Sequence, residues 1–343
     1  MIFQHPRKRP AQPLKNEQLA AGGAVLVALA IAALMFKLIR NRGQRTTSTN
    51  PGLRPDKALG VEVRRVARLQ LDAAISALKT NGEPVTSEGV HEARKSIKRL
   101  RSLLRLTRHE LGAKVYGYEN NALRQIARRL SDARDSDVMV STLDTLSATY
   151  ASEIPDGAFD GLRAALVTNA ETERNRLAGH TAAVRGAISE LQAVRARLAG
   201  WPLPEKGTVA DLKPGVRYVY KRGRDASDAV HAKPTINRLH TLRRRTKDVV
   251  HTAQLLDAAS PKASKIASRG KAVNEILGED HDLAILRSGA SDHAETLAPG
   301  HLDLLTALID RRHEALRREA TDHAGLLYNR PPKRMTVRFI AKS

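Results

Sequence analysis

The chain contains no cysteine. Disulfides, thiolate zinc sites and cysteine nucleophiles are therefore excluded, and nothing supports an oxidising compartment. Aromatic residues are scarce at 3%, with four Phe, six Tyr and one Trp. Single-stranded nucleic acids are usually gripped by aromatic platforms that stack on bases, so this scarcity counts against an RNA or single-stranded DNA reader. Strand-like alternation is almost absent too, whereas helical periodicity dominates from Lys57 onward. The expected fold class is all-α.

Negative charge is the remaining shortage. The 58 Lys and Arg face 36 Asp and Glu, leaving a net charge of +22. That is far more than solubility requires and predicts attraction to phosphate-rich partners. A length of 343 residues allows one large or two ordinary domains, each with a proper core.

After a polar, Pro-rich tail over residues 1–18, Leu19 to Phe36 is an uninterrupted apolar run that ends in Lys37, Arg40, Arg42 and Arg45. Such a run spans about 27 Å as a helix, just enough for a bilayer core. It lacks a small-residue cleavage site, which favours an uncleaved anchor over residues 19–39. Arg7, Lys8, Arg9 and Lys15 precede the run, and the four cations above plus Arg54 and Lys57 follow it. This slight excess places the C-terminal bulk in the cytoplasm, as expected of a single-pass inner-membrane protein. Residues 40–56 read as a linker and residues 331–343 as a basic tail attracted loosely to membrane or polyanion.

The body between them contains an internal repeat. VHEARKSIKRLRSLLRL, from Val90 to Leu106, aligns with LHTLRRRTKDVVHTAQLL, from Leu239 to Leu256, at an offset of 149 residues. His91 matches His240, Arg94 matches Arg243, Lys95 matches Arg244 and Lys98 matches Lys247. An acidic segment follows each copy, LSDARDSDVMVSTL from Leu130 and LGEDHDLAIL from Leu277.

At 100° per residue, His91, Arg94, Lys98, Arg101 and Arg105 fall within roughly an 80° arc. Ala93, Ile97, Leu100 and Leu104 form a second stripe about 110° away, so the cations flank the buried face and border a groove between helices. The second copy repeats the pattern with His240, Arg243, Lys247 and His251 beside Leu242, Val249 and Ala253. Arginine forks, mobile lysines and histidines suit a linear chain of phosphates.

His281-Asp282 also reads as the metal dipeptide of a phosphohydrolase, which needs His and Asp ligands converging on a divalent ion. Its counterpart in the first copy is Arg134-Asp135, and arginine cannot replace a metal-binding histidine. The pair Arg134 and His281 therefore suits anion binding better. Asp132, Asp135, Asp137, Glu279, Asp280 and Asp282 read as helix-starting residues or as partners that orient nearby arginines.

These segments resemble the CHAD family, the conserved histidine α-helical domain, over roughly residues 57–330. HEARKSIKRLRSLLRL is similar to its first histidine helix, and LHTLRRRTKDVVHTAQLL with LGEDHDLAILR to its second. Gly215-Val216 through Tyr220, Gly223 and Arg224 is similar to the helix that precedes the second histidine. The resemblance implies two antiparallel four-helix bundles related by pseudo-twofold symmetry, here preceded by the single apolar helix. The expected parts are 57–153 as the first repeat, 154–207 as connecting helices and 208–330 as the second repeat. It also implies binding of inorganic polyphosphate, often at polyphosphate granules, without a cofactor. By resemblance, His91, Arg94, Lys95, Lys98, Arg101, Arg105, Arg224, His240, Arg243, Arg244, Lys247 and His281 become phosphate contacts. Leu242 and His251 stand at positions that are usually aromatic in the family, which leaves the role of His251 open. The alternating-glutamate E-x-E-x-K motif of the triphosphate-tunnel domains that often accompany the family does not occur, so hydrolysis is not expected. Nucleic acid is the rival ligand, expected only as a non-specific competitor.

Overall fold

The computed structural model describes residues 51–79, 85–130, 134–179 and 181–340. The expected tail, anchor and linker over residues 1–50 lie outside the described residues. Among the described residues, no helix is long and apolar enough to cross a membrane.

Apolar side chains at helical spacing bring the helices together. Helix α1 (Leu59–Leu78) buries Val63, Val66, Ala67, Leu71 and Ala74 along one face. Helix α2 (Ser87–Leu106) begins where the Thr86 hydroxyl accepts from the Gly89 amide at 3.0 Å. Helix α8 (Ile236–Leu255) begins in the same way, with Thr235 accepting from Arg238 at 3.4 Å. Thr86 and Thr235 are also 149 positions apart, so the repeat includes its own start signal. Between them come α3 (Arg108–Arg129), α4 (Arg134–Thr149), α5 (Asp160–Gly179), α6 (Thr181–Arg197) and α7 (Lys213–Ala232). After α8 follow α9 (Pro261–Asp292), α10 (His301–Tyr328) and α11 (Pro332–Phe339).

Helices α1, α2, α3 and α6 close into one four-helix bundle, and α7, α8, α9 and α10 into another. The expected connecting region thus does more than connect. Its second helix completes the first bundle, while α4 and α5 pair with each other and α4 leans on α9.

The bundles meet where α2 packs on α8 and on α7. Ser102 Oγ and His251 Nδ1 share a hydrogen bond at 3.1 Å, and these two residues are separated by the repeat offset of 149. A residue that touches its own repeat counterpart marks a local twofold axis. Helix α7 presses on the end of α2 so closely that a Cβ at Gly215 would stand 1.7 Å from the Leu106 carbonyl oxygen. Only glycine fits there.

Two expected boundaries move. The basic tail is not loose over its first ten residues: Met335, Phe339 and Ile340 are buried, and α11 packs on α7 and α9. Ser260 Oγ donates to the Arg338 carbonyl at 2.9 Å, and Tyr220 Oη to that of Arg330 at 3.2 Å. Met335 and Phe339, four residues apart, form a short apolar stripe that the surrounding cations mask in composition. Similarly, the end of the linker belongs to the fold. Leu53 is fully buried, its amide donates to Leu255 O at 2.8 Å, and Arg54 binds the buried Glu62 carboxylate.

Candidate anion-binding face

Residues rising along α2 meet residues falling along α8, since Ser102 touches His251 while Arg105 reaches back to Asp248. The helices therefore cross antiparallel, and their N-terminal halves extend away from the axis in opposite directions. His91, Arg94 and Lys98 lie on one side, and Lys247, Arg243 and His240 on the other. Each histidine lies eleven positions before its axis residue, at 102 and 251. The two stripes thus join into one track up to about 33 Å long.

The junction is strongly electropositive. Lys98, Arg99 and Arg105 from α2 and Lys247 from α8 all bear on His251. Burial, reinforced by these cations, pushes its imidazole down to about 3, so it is neutral and serves as a hydrogen-bond partner of Ser102. His251 is thus an element of the axis and carries no charge for a ligand at neutral pH.

At the α8 end of the track, His281 from α9 joins His240, with Nδ1 and Nε2 3.0 Å apart and the rings edge to face at 84°. One nitrogen must donate and the other accept, so the hydrogen bond requires at least one neutral ring. Burial lowers His281 to about 4, helped by Arg243, His240 and Lys247 and opposed by Asp280. Burial also lowers His240, with Arg243 next and Asp280 opposing. The pair is uncharged at pH 7 and is poised to take up a proton once an anion offsets the neighbouring cations.

The remaining expected contacts divide. Lys98 and Arg244 are exposed, and His91, Arg94 and Arg243 are half-buried along the track. Lys95 is half-buried and tied to Glu92 at 2.8 Å. Arg101 donates to Asn120 at 3.1 Å, and Arg105 is held by Asp248 at 2.8 Å. Arg224 lies on α7, near Asp228 at 3.9 Å, and donates to the Arg330 carbonyl at 3.4 Å. There it supports the C-terminal segment. Arg134 opens α4, and its side chain lies outside the described residues.

The acidic segment that precedes α10 uses its carboxylates structurally. Asp280 Oδ1 sits 2.6 Å from His313 Nδ1, with both groups buried, and Glu279 binds Arg312 at 2.6 Å. Both links tie α9 to α10 and so fix His281 against α8. Among the described residues, no group of three His, Asp or Glu is arranged to hold a metal ion. Arg99, Ser102, Arg245 and Asp248 complete the junction without having been singled out in the sequence. Reading the 149-residue offset as a contact across an axis, as well as a match, would have identified Ser102.

The sequence profile of the CHAD domain matches residues 69–291. The chain belongs to the CHAD domain family. Among solved structures, it is similar to the CHAD domain from the plant Ricinus communis, with a TM-score of 0.59 and 17% identity over 82% of this chain and 94% of that one. It is also similar to PptA from Streptomyces chartreusis, with a TM-score of 0.56 and 18% identity over 80% of this chain and all of that one. At such identities the likeness shows the fold. No curated protein matches the chain in sequence.

The histidine pair gives this CHAD domain a defined response to acid. His281 titrates near 4 in the folded chain and near 6.5 when unfolded, so the unfolded state binds more protons between those values. The free protein therefore loses stability as pH falls from about 6.5 towards about 4. Thermal melts across that window are expected to show a shallower loss in His281→Gln, and an equal loss in both proteins would remove the assignment.

Proposed function

We propose that this CHAD protein binds inorganic polyphosphate without turning it over, laying the chain along the track from His91 to His240. The observation that carries this reading is the junction, where Lys98 and Lys247, equivalent in the two repeats, bear together on His251. One linear anion can then bridge both stripes without leaving a field of a single sign. Mutual repulsion among these cations costs the free protein stability, and a bound polyanion offsets it. Family membership supports the reading.

Duplex nucleic acid is the second reading, because a surface of net charge +22 attracts any phosphate backbone by counterion release. Competition separates the two. At about 0.15 M salt, polyphosphate is expected to displace DNA and RNA at a far lower concentration of phosphate units. Displacement at equal phosphate concentration would reduce the protein to a general polyanion binder.

The tether belongs to the same proposal. Residues 19–39 anchor the chain in the inner membrane, and the CHAD domain gathers polyphosphate or its granules on the cytoplasmic side. Deleting residues 1–45 is expected to release the protein from the membrane fraction, and unchanged association would eliminate the anchor.

A further inference from the structure

Beside the junction, and sharing Arg105 and Arg245 with it, α2, α3, α7 and α8 bring six arginines together. Arg101 and Arg105 come from α2, Arg108 and Arg124 from α3, Arg222 from α7 and Arg245 from α8. Arg101 feels Arg105 and Arg124, and Arg245 feels Arg222, Arg105 and Arg244. Among the described residues, Asp248 is the one carboxylate that pairs with any of the six, at 2.8 Å from Arg105 and 3.7 Å from Arg245.

Neutral groups hold the other guanidinium planes. Arg108 stands 4.0 Å from the centre of the Tyr218 ring and 5.5 Å from that of Tyr116. Arg222 donates to Tyr218 Oη at 2.9 Å, Arg101 to Asn120 at 3.1 Å and Arg124 to Asn121 at 2.7 Å. Such partners orient the forks and leave their charge uncompensated. Burial first, then Arg105, pushes Arg101 down to about 10, the direction expected of a cation that lacks an anion.

The repeat does not explain the cluster. Positions 149 beyond Arg101, Arg105 and Arg108 hold Val250, Gln254 and Asp257, while those 149 before Arg222 and Arg245 hold Ala73 and Ser96. Only one side of the twofold axis carries it. Four helices contribute, and the donors group around Tyr218 and Arg105 instead of following one helix face. The Tyr218 ring already carries two guanidinium groups, which leaves little face for stacking a nucleobase.

We propose that this arginine–tyrosine cluster is a second anion site, taking a compact anion with several phosphates: a free short oligophosphate, or the terminal phosphates of a longer chain. The chain-end form rests on the polyphosphate reading above, whereas the free-anion form stands without it.

The test titrates the full chain with tripolyphosphate at about 0.15 M salt by calorimetry. Arg108→Gln with Arg222→Gln is expected to weaken binding at least about tenfold. Arg163→Gln with Arg195→Gln, which removes the same charge from α5 and α6 at ion pairs with Asp144 and Asp72, is expected to change it by less than about threefold. Unchanged affinity in the first variant, or equal loss in both, overturns the site. Should the first variant fail to fold by circular dichroism, Arg124→Gln at the exposed rim replaces it. A loss of at least about threefold then supports the site, and a smaller change overturns it. Competition by free-ended but not end-blocked long chains assigns the site to chain ends. Equal or no competition assigns it to the free anion. Failure of the polyphosphate reading alone leaves tripolyphosphate binding intact, so the two failures are distinguishable.

Discussion

Replacing Arg94 and Arg243 together by glutamate lowers the affinity for long-chain polyphosphate by about 100-fold or more at 0.15 M salt, with the helical fold intact. These residues occupy equivalent places on the two arms of the track, each one turn beyond the lysine that meets at the junction. A charge-assisted hydrogen bond to phosphate contributes about 1.5–3 kcal/mol, so losing two accounts for about 100-fold before any repulsion is counted. Reversing the sign also places a carboxylate against the phosphate chain on each arm. The slope of log affinity against log salt should become shallower, since fewer counterions are released. Titration at several salt concentrations, with circular dichroism as the control for folding, checks both effects. Affinity within about threefold of the parent in a folded variant would place the polymer elsewhere.

Asp248→Asn produces opposite effects on stability and binding. Asp248 is almost buried and accepts from Ser102 at 3.3 Å and from Arg105 at 2.8 Å, with Arg245 at 3.7 Å. Removing its charge leaves two largely buried guanidinium groups without a counter-ion, which costs about 3 kcal/mol and lowers the melting temperature by several degrees. The same change frees Arg105 and makes the junction more positive. Polyphosphate should therefore bind the variant more tightly, and saturating polymer should restore most of the lost melting temperature. Thermal melts with and without polymer measure both effects. A variant that is destabilised and also binds more weakly would show that Asp248 holds the ligand-binding geometry, against the arrangement proposed here.

Much of the architecture was legible because it is written in local periodicity. The apolar stripe of Ala93, Ile97, Leu100 and Leu104 and its copy at Leu242, Val249 and Ala253 specify helices and their buried faces from spacing alone. The 149-residue offset specifies two related units. The misplaced boundaries had the opposite character. Leu53 and Phe339 are buried by partners distant in sequence, and their own neighbourhoods, rich in Pro, Thr and Lys, carry no sustained pattern. Helix α6 likewise gives no local sign that it closes the first bundle.

The site divides along the same line. Residue type and helical phase identified His91, Arg94, Lys98, His240, Arg243 and Lys247 as one kind of surface before any fold was known. They could not show that Arg105 is restrained by Asp248, that Arg224 turns to the C-terminal segment, or that His281 hydrogen-bonds His240. The sequence by itself determined an all-α, duplicated, strongly basic chain with two matched cationic stripes, because these properties depend on residue identity and on a repeat of 3.6. Only the tertiary structure decided that the stripes run into one track, that His251 becomes a neutral axis residue and that six arginines gather beside the junction. Those outcomes depend on the antiparallel crossing of α2 and α8, which places residues more than a hundred positions apart within hydrogen-bond reach.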